Sequence, residues 1–201
     1  MSRRPPWAAA TMGFRIRRAD ASDHPALATF LRAMDVDGLY QRHFAHGEAP
    51  NLALLERLAI VDGRRRVMLL AVDGDSKVLG HAEYVAEARG AEFALMVLPA
   101  WRDRGMGLAL LDSLIEVATA AGLHRLHGLI QATNTRALQL VRKRGLRPVR
   151  SDDPRTVIVS RQLLPVGAAD KVAPGHVSPS TATPSNRHDP DRIPLHRCPG
   201  P

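Results

Sequence analysis

The spacing of apolar residues changes period near Trp101, and two glycines, Gly105 and Gly107, stand at the change. Ahead of them "AEFALMVL", Ala91 to Leu98, reads as a strand. Behind them Leu111, Leu114, Ile115 and Ala118 form one stripe of a helix, with Asp112, Ser113 and Glu116 on the other side and Gly122 closing it. Glycine costs a helix about 1 kcal/mol against alanine, so two so close together imply that something approaches the main chain. A strand, a Gly-rich turn and a helix start also make a ready anion site. Free N–H groups and the positive end of the helix dipole point the same way there.

The remaining elements are arranged around this joint. "FRIRRA", Phe14 to Ala19, alternates apolar and basic residues as a half-buried strand does. "ASDHPALATFLRAM" follows as a helix, with Ser22 or Asp23 as its N-cap, Pro25 in its first turn, and Leu27, Phe30, Leu31 and Met34 as its apolar face. A polar stretch leads to a second short helix, Leu52 to Ala59, behind Asn51. "RVMLLAV", "VLGHAEYVA" and "AEFALMVL", joined by "DGDSK" and "EARG", predict an antiparallel meander. After the glycine-led helix, "LHRLHGLIQA" reads as a buried strand and "NTRALQLVRKR" as a helix capped by Asn134 and ended by Gly145. "TVIVSRQL" is a last strand. The order predicts an α+β fold, a mixed α/β sandwich with helices on both faces of the sheet.

The 201 residues suit one domain, placed here at 14–164, between an N-terminal arm (1–13) and a Pro/Ser-rich tail (165–201), both expected to be disordered. No apolar run is long enough for a membrane span, and "MSRRPPWAAATMG" makes a poor signal peptide, so a cytoplasmic protein is expected. The lone cysteine, Cys198, lies in the tail and speaks against disulfides or a cysteine zinc site. The irregularly spaced His176, His188 and His196 do not make a metal tail either, so no metal is expected. The net charge of +8 is spread over the chain rather than packed into one arm. With two tryptophans and two tyrosines, base stacking has little to stand on. No nucleic-acid partner is expected, and an anionic small ligand fits better.

Three phosphate-binding patterns compete for the double glycine. A nucleoside-triphosphate loop requires Lys-Ser or Lys-Thr after the last glycine, and neither follows Gly107. A dinucleotide fingerprint requires a small residue where Leu110 stands and an acid ending the next strand, which runs into Gln131. The pattern that fits is R/Q-x-x-G-x-G/A, met by Arg102, Gly105 and Gly107, followed downstream by N-x-x-A-x-x-L from Asn134 and then Gly145. Together, in this order, these pieces resemble the acetyl-coenzyme A acyltransferases of the GNAT superfamily over roughly Phe14 to Leu164. The resemblance implies a mostly antiparallel sheet splayed at the cofactor site. It implies that Arg102, Asp103, Arg104, Gly105, Met106, Gly107 and Leu108 bind the pyrophosphate of acetyl-CoA. Leu95, Met96 and Val97 would pair with its pantetheine arm, and Asn134 would add a hydrogen bond as well as capping its helix.

Segment by segment, "DGLYQRHF", "IVDGRRRVMLLAV", "LGHAEYV" and "AEFALMVLPAWRDRGMG" are similar to the catalytic domain of bacterial protein-lysine acetyltransferases. That resemblance implies acetyl transfer to a protein lysine, by a monomer or homodimer, with Glu92 as general base. A lysine ammonium with a pKa near ~10.4 must lose a proton before it attacks. Backbone N–H groups near Val97 and Leu98 would stabilise the developing negative charge. The tyrosine that many relatives use as general acid is replaced by Val141; a thiol pKa of roughly 8.5 lets the thiolate leave without it. His81, Glu83 and His127 lie nearby in sequence and read as structural. Arg142, Lys143 and Arg144 complement a helix end or meet the 3′-phosphate. A small-molecule amine or antibiotic acceptor, or a non-catalytic acetyl-CoA-binding module, would carry the same cofactor residues.

Overall fold

A computed structural model describes residues 13–35, 62–88 and 90–163. The helix expected at 52–59, most of the N-terminal arm and the tail lie outside the described residues. Seven strands form one sheet: β1 (Arg15–Arg18), β2 (Arg66–Val72), β3 (Val78–Glu87), β4 (Gly90–Val97), β5 (Arg125–Gln131), β6 (Arg147–Val149) and β7 (Thr156–Gln162). Their spatial order is β1-β2-β3-β4-β5-β7-β6. Every pairing is antiparallel except that of β4 with β5. Among the described residues, three helices, α1 (His24–Arg32), α2 (Met106–Ala120) and α3 (Thr135–Arg142), lie with the sheet in the expected α+β arrangement. Among the described residues no helix is long and apolar enough to cross a membrane.

The register sorts side chains onto two faces. His81 pairs with Met96, Glu83 with Ala94 and Val85 with Glu92, and the Phe30 ring of α1 meets His81 edge-on at 5.6 Å. Glu92, Ala94 and Met96 therefore share the α1 face, as strand alternation predicts. Gly80, Ala82, Tyr84, Phe93, Leu95 and Val97 face α2. There the bare Gly80 lets Met106 and Leu110 press onto β3, since a Cβ would sit 3.1 Å from the side chains of both. The core between α2 and the sheet is fully buried at Met106, Leu110, Leu111 and Leu114.

Two details differ from the sequence reading. The N-cap position of α1 is Asp23, one of the two residues expected, but its side chain does not cap the helix, and the side-chain cap lies one turn earlier. Asp20 accepts from the Ser22 N–H and, with Asp23, closes a capping box around a 3-10 turn over Ala21–Asp23. Asp23 itself is 6% exposed and receives both guanidinium nitrogens of Arg17 at 2.6 and 2.5 Å, an outward-looking residue turned into a buried anchor. The strand Arg147–Val149 had no periodic signal, because it is three residues long and contains Pro148. Proline is tolerated there because β6 is the sheet's edge.

β4 and β5 pair through only Ala91↔Leu126 and Glu92↔His127, after which no further rung joins them. Phe93 fills the opening wedge on the α2 side, its ring lying on Gly128 so closely that a Cβ there would be 2.6 Å from Cε1. At the closed end Gly90, with φ +149, leaves room for Arg125, whose carbonyl oxygen a Cβ would meet at 2.7 Å.

Gly128→Ala is expected to destabilise the fold by about 1–3 kcal/mol through overpacking. Adding Phe93→Leu should recover part of that loss in urea unfolding, whereas additive losses would show that ring and glycine do not meet. Hydrogen bonding from Arg17 holds the Asp23 carboxyl below its usual range, with a smaller backbone contribution from Asp20. That stability is present above the unfolded carboxylate value near ~3.9 and is lost as pH falls through the lower folded value. Asp23→Asn should remove this part of the acid-unfolding slope while lowering stability by about 2 kcal/mol at neutral pH.

Candidate functional site

The antiparallel ladder decides which backbone groups of β4 are available. Leu98 N–H donates to Leu79 O at 2.9 Å, and the register runs unbroken from Gly80↔Val97 to Glu87↔Gly90. Bonded pairs alternate along such a ladder, so Met96, Ala94 and Glu92 also turn their peptide groups toward β3. Phe93, Leu95 and Val97 turn theirs the other way: Phe93 N–H is taken up by the last rung to β5, and Leu95 and Val97 open into the notch that follows it. From Glu92 to Val97 the open edge runs about 16 Å at the rise of a strand. Of the three residues expected to pair with an extended ligand, Leu95 and Val97 present backbone to the notch and Met96 does not. Val97 N–H remains a candidate donor to developing charge. Leu98 N–H is spent on β3, which corrects that expectation.

The loop after β4 is a 3-10 turn, Pro99–Trp101, leading to the left-handed Gly105 (φ 81) as N-cap of α2. No side chain caps this helix, so the N–H groups of Gly105, Met106, Gly107 and Leu108 have no acceptor within the helix. The two glycines serve different needs. Gly105 holds a backbone conformation that a side chain would strain. The bare side of Gly107 faces Leu140 of α3 and, farther off, Leu95 and Val97, with a Cβ 2.8 Å from Leu140 Cδ1. Gly105 thus sets the turn, and Gly107 leaves its bare side beside the end of Leu140 and the notch.

Arg102 holds this loop in place. Its guanidinium donates to both carboxylate oxygens of Asp35 at 2.8 and 2.6 Å and its Nε to Val97 O at 3.3 Å. Arg102 N–H is also engaged, by Pro99 O. Its side chain is a brace rather than an open cation. Arg104 lies 5.4 Å from the Trp101 ring centroid, and Asp103 (φ 60) pairs at 3.0 Å with Arg136 in the first turn of α3. Asn134 caps α3, accepting from Ala137 N–H at 3.0 Å, as its sequence position implied. Of the basic helix end, Arg142 and Lys143 are exposed, while Arg144 binds Asp112 of α2 through two nitrogens, a pairing with no sequence signal. Val141 is buried at 2% exposure and has no proton to give.

On the α1 face one transverse row reads Arg66, Val85, Glu92, His127, Ser160 and Arg147 across β2, β3, β4, β5, β7 and β6. Glu92 stands in this row at the last rung before the notch opens, half-buried. Beside it Glu83, almost wholly buried, is ion-paired with Arg66 at 3.2 Å. His81 packs against Phe30, in keeping with a structural role. His127 is 2% exposed, with Nε2 3.6 Å from Glu87. Burial pushes its pKa down, opposed by Glu87 and assisted by Arg125, so the ring is neutral at neutral pH. Among the described residues no group of three or more His, Cys, Asp or Glu is placed to hold a metal ion.

A strand pair that opens after two rungs, an uncapped glycine-led helix at its mouth and a carboxylate at its apex define the class, and comparison with known proteins agrees. Residues 29–146 match the model of the Acetyltransferase (GNAT) family. The chain belongs to that family and is an acetyl-CoA-dependent N-acyltransferase. Over 143 residues it is 32% identical to the L-methionine sulfoximine/L-methionine sulfone acetyltransferase of Pseudomonas paraeruginosa, covering 67% of this chain and 80% of that protein. Among solved structures, the GNAT domain of S. lividans PAT superposes with a TM-score of 0.72 at 24% identity, covering 80% of this chain and 100% of that one. A phosphinothricin acetyltransferase from Sinorhizobium meliloti, in complex with AcCoA, gives a TM-score of 0.62 at 20% identity, covering 82% and 95%. At these identities both structures speak for the fold.

The two glycines are separable by experiment. Gly105→Ala should cost about 1–2 kcal/mol of stability because a left-handed residue acquires a Cβ. Gly107→Ala meets only the mobile end of Leu140 and should leave thermal unfolding nearly unchanged while weakening acetyl-CoA binding in calorimetry. Equal stability losses at both positions would contradict this division.

Proposed function

We propose that the chain acetylates the amine of a small molecule, an amino acid with a tetrahedral sulfur or phosphorus group in its side chain, using Glu92 as the base. The reading of the acceptor is supported by the 32% identical relatives, whose names specify L-methionine sulfoximine and L-methionine sulfone. The phosphinothricin acetyltransferase is consistent with it at the level of fold. The protein-lysine acceptor implied by the sequence resemblance has weaker support, and the small-molecule acceptor takes its place. Val141 keeps a non-catalytic cofactor-binding module as the reading to be tested against.

The observation that carries the mechanism is the opening of β4 from β5 with Glu92 at its apex. The open N–H and C=O groups of Leu95 and Val97 suit an extended amide-containing chain such as pantetheine. The N–H groups from Gly105 to Leu108, which have no acceptor within the helix, suit the pyrophosphate at its other end. When bound, acetyl-CoA supplies an acetyl group already activated as a thioester. The Glu92 side chain lies on the α1 face, where an amine can reach the same apex from the side opposite α2. There the carboxylate takes a proton from the ammonium, and an open N–H group of the β4 notch donates to charge developing on the acyl oxygen. Asp103, Arg104 and Asn134 flank the loop, Arg102 braces it, and Met96 contributes packing.

Incubation with acetyl-CoA and, in parallel, L-methionine sulfone and a lysine-containing peptide, read by mass spectrometry, tests the acceptor. Acetylated methionine sulfone with unmodified peptide is expected, and the reverse would restore the lysine reading. Glu92→Gln should lower kcat by roughly 10²–10⁴ at neutral pH with acetyl-CoA affinity retained. Unchanged turnover would remove Glu92 from the mechanism.

A further inference from the structure

His127 is the other side chain of the last rung that joins β4 to β5, and nothing in the acetyl-transfer reading uses it. Parallel register places it beside Glu92 on the α1 face, on a strand about 4.8 Å away. Its Nε2 points to Glu87 Oε2 at 3.6 Å, and Gly90, opposite Glu87 on β4, puts no side chain between them. Its Nδ1 is buried and, among the described residues, has no hydrogen-bond partner. A buried nitrogen left without a partner is destabilising, and the chain places a leucine two residues on, at Leu129, on the same face. An apolar residue would serve packing alone at least as well. Glu87 is 39% exposed and reaches solvent.

We propose that His127 and Glu87 form the path by which the proton taken up by Glu92 leaves the closed end of the notch. The proposal rests on Glu92 acting as the base. The ammonium N–H breaks and a Glu92 O–H forms. That proton passes to the lone pair of His127 Nδ1, regenerating the Glu92 carboxylate. The imidazolium gives its Nε2 proton to the Glu87 carboxylate, which releases it to water. One proton has moved from acceptor to solvent, and no other bond has changed. His127 then returns to its starting tautomer for the next turnover. Neutrality of the ring, favoured by its burial, keeps Nδ1 ready to accept. The groups that face the ring among the described residues are Glu92 from β4, Glu87 from β3 and Ser160 from β7, with Arg125 two residues earlier on its own strand. The two carboxylates stabilise the transient imidazolium and Arg125 opposes its persistence.

The test compares the full chain with His127→Gln, Glu87→Gln and Glu92→Gln, using acetyl-CoA with L-methionine sulfone or the peptide, whichever is acetylated. His127→Gln and Glu87→Gln should each lower kcat roughly tenfold, leave the KM for acetyl-CoA within about twofold, and enlarge the solvent deuterium isotope effect as proton transfer becomes limiting. Glu87 is exposed, so its variant keeps the test independent of folding. Nitrogen-15 NMR of labelled histidine, with the His127 signal identified by its loss in His127→Gln, should show a neutral ring protonated at Nε2 near neutral pH. A ring protonated at Nδ1 overturns the proposal even without turnover data. Wild-type kcat and isotope effect in both relay variants, with Glu92→Gln impaired, overturns the relay and leaves the base. Wild-type turnover in Glu92→Gln overturns the base and the relay with it.

Discussion

Everything at the site depends on a pairing that stops. β4 and β5 share two rungs, Ala91↔Leu126 and Glu92↔His127, and then separate, although both strands continue. A sheet interior that loses its hydrogen bonds would ordinarily be penalised, because buried peptide groups need partners. Here the loss is tolerable because the peptide groups of Leu95 and Val97 face a space that an extended ligand can occupy as an extra strand. On the proposed reading, binding completes a sheet that folding leaves incomplete.

Holding such an opening requires packing that neither closes it nor lets it widen. On the α2 side Phe93 lies against bare Gly128 and wedges the strands apart just beyond the last rung. At the closed end Gly90 allows the tight approach to Arg125 that keeps them together. The mouth is fixed from three directions. Arg102 ties the loop to Asp35 beyond α1 and to Val97 O, Arg136 ties Asp103 to α3, and Arg144 ties α3 to Asp112 of α2. The Arg136–Asp103 pair is open to solvent, and its value is positional rather than energetic.

The parts legible in the sequence are those governed by local rules. Period two and period 3.6 located the strands and helices, Asn134 announced its helix, and the glycines announced the turn that opens α2. Strand alternation alone put Glu92, Ala94 and Met96 on one face. The parts that were not legible join residues far apart in the chain: Arg102 with Asp35, Arg144 with Asp112, Glu87 with His127, Phe93 with Gly128. No local pattern distinguishes an arginine that will brace a loop from one that will meet a phosphate. β6 escaped for a different reason, since three residues containing Pro148 carry no period and become a strand only because β7 offers its edge.

The absence of a proton donor at Val141 is consistent with this architecture. A thiolate whose acid has a pKa of roughly 8.5 is a tolerable leaving group, whereas an ammonium near ~10 is no nucleophile until it is deprotonated. The demand for proton handling therefore falls on the acceptor side of the sheet. Glu92, His127 and Glu87 lie on that face together, while the α2 side at Val141 is buried and apolar. Alternation along β4 keeps the two proposed tasks apart: even-numbered side chains from Glu92 to Met96 lie on the α1 face, and the peptide groups of Leu95 and Val97 line the notch. One strand can thus bind one substrate with its backbone and deprotonate the other with a side chain, without either function constraining the residues that serve the other.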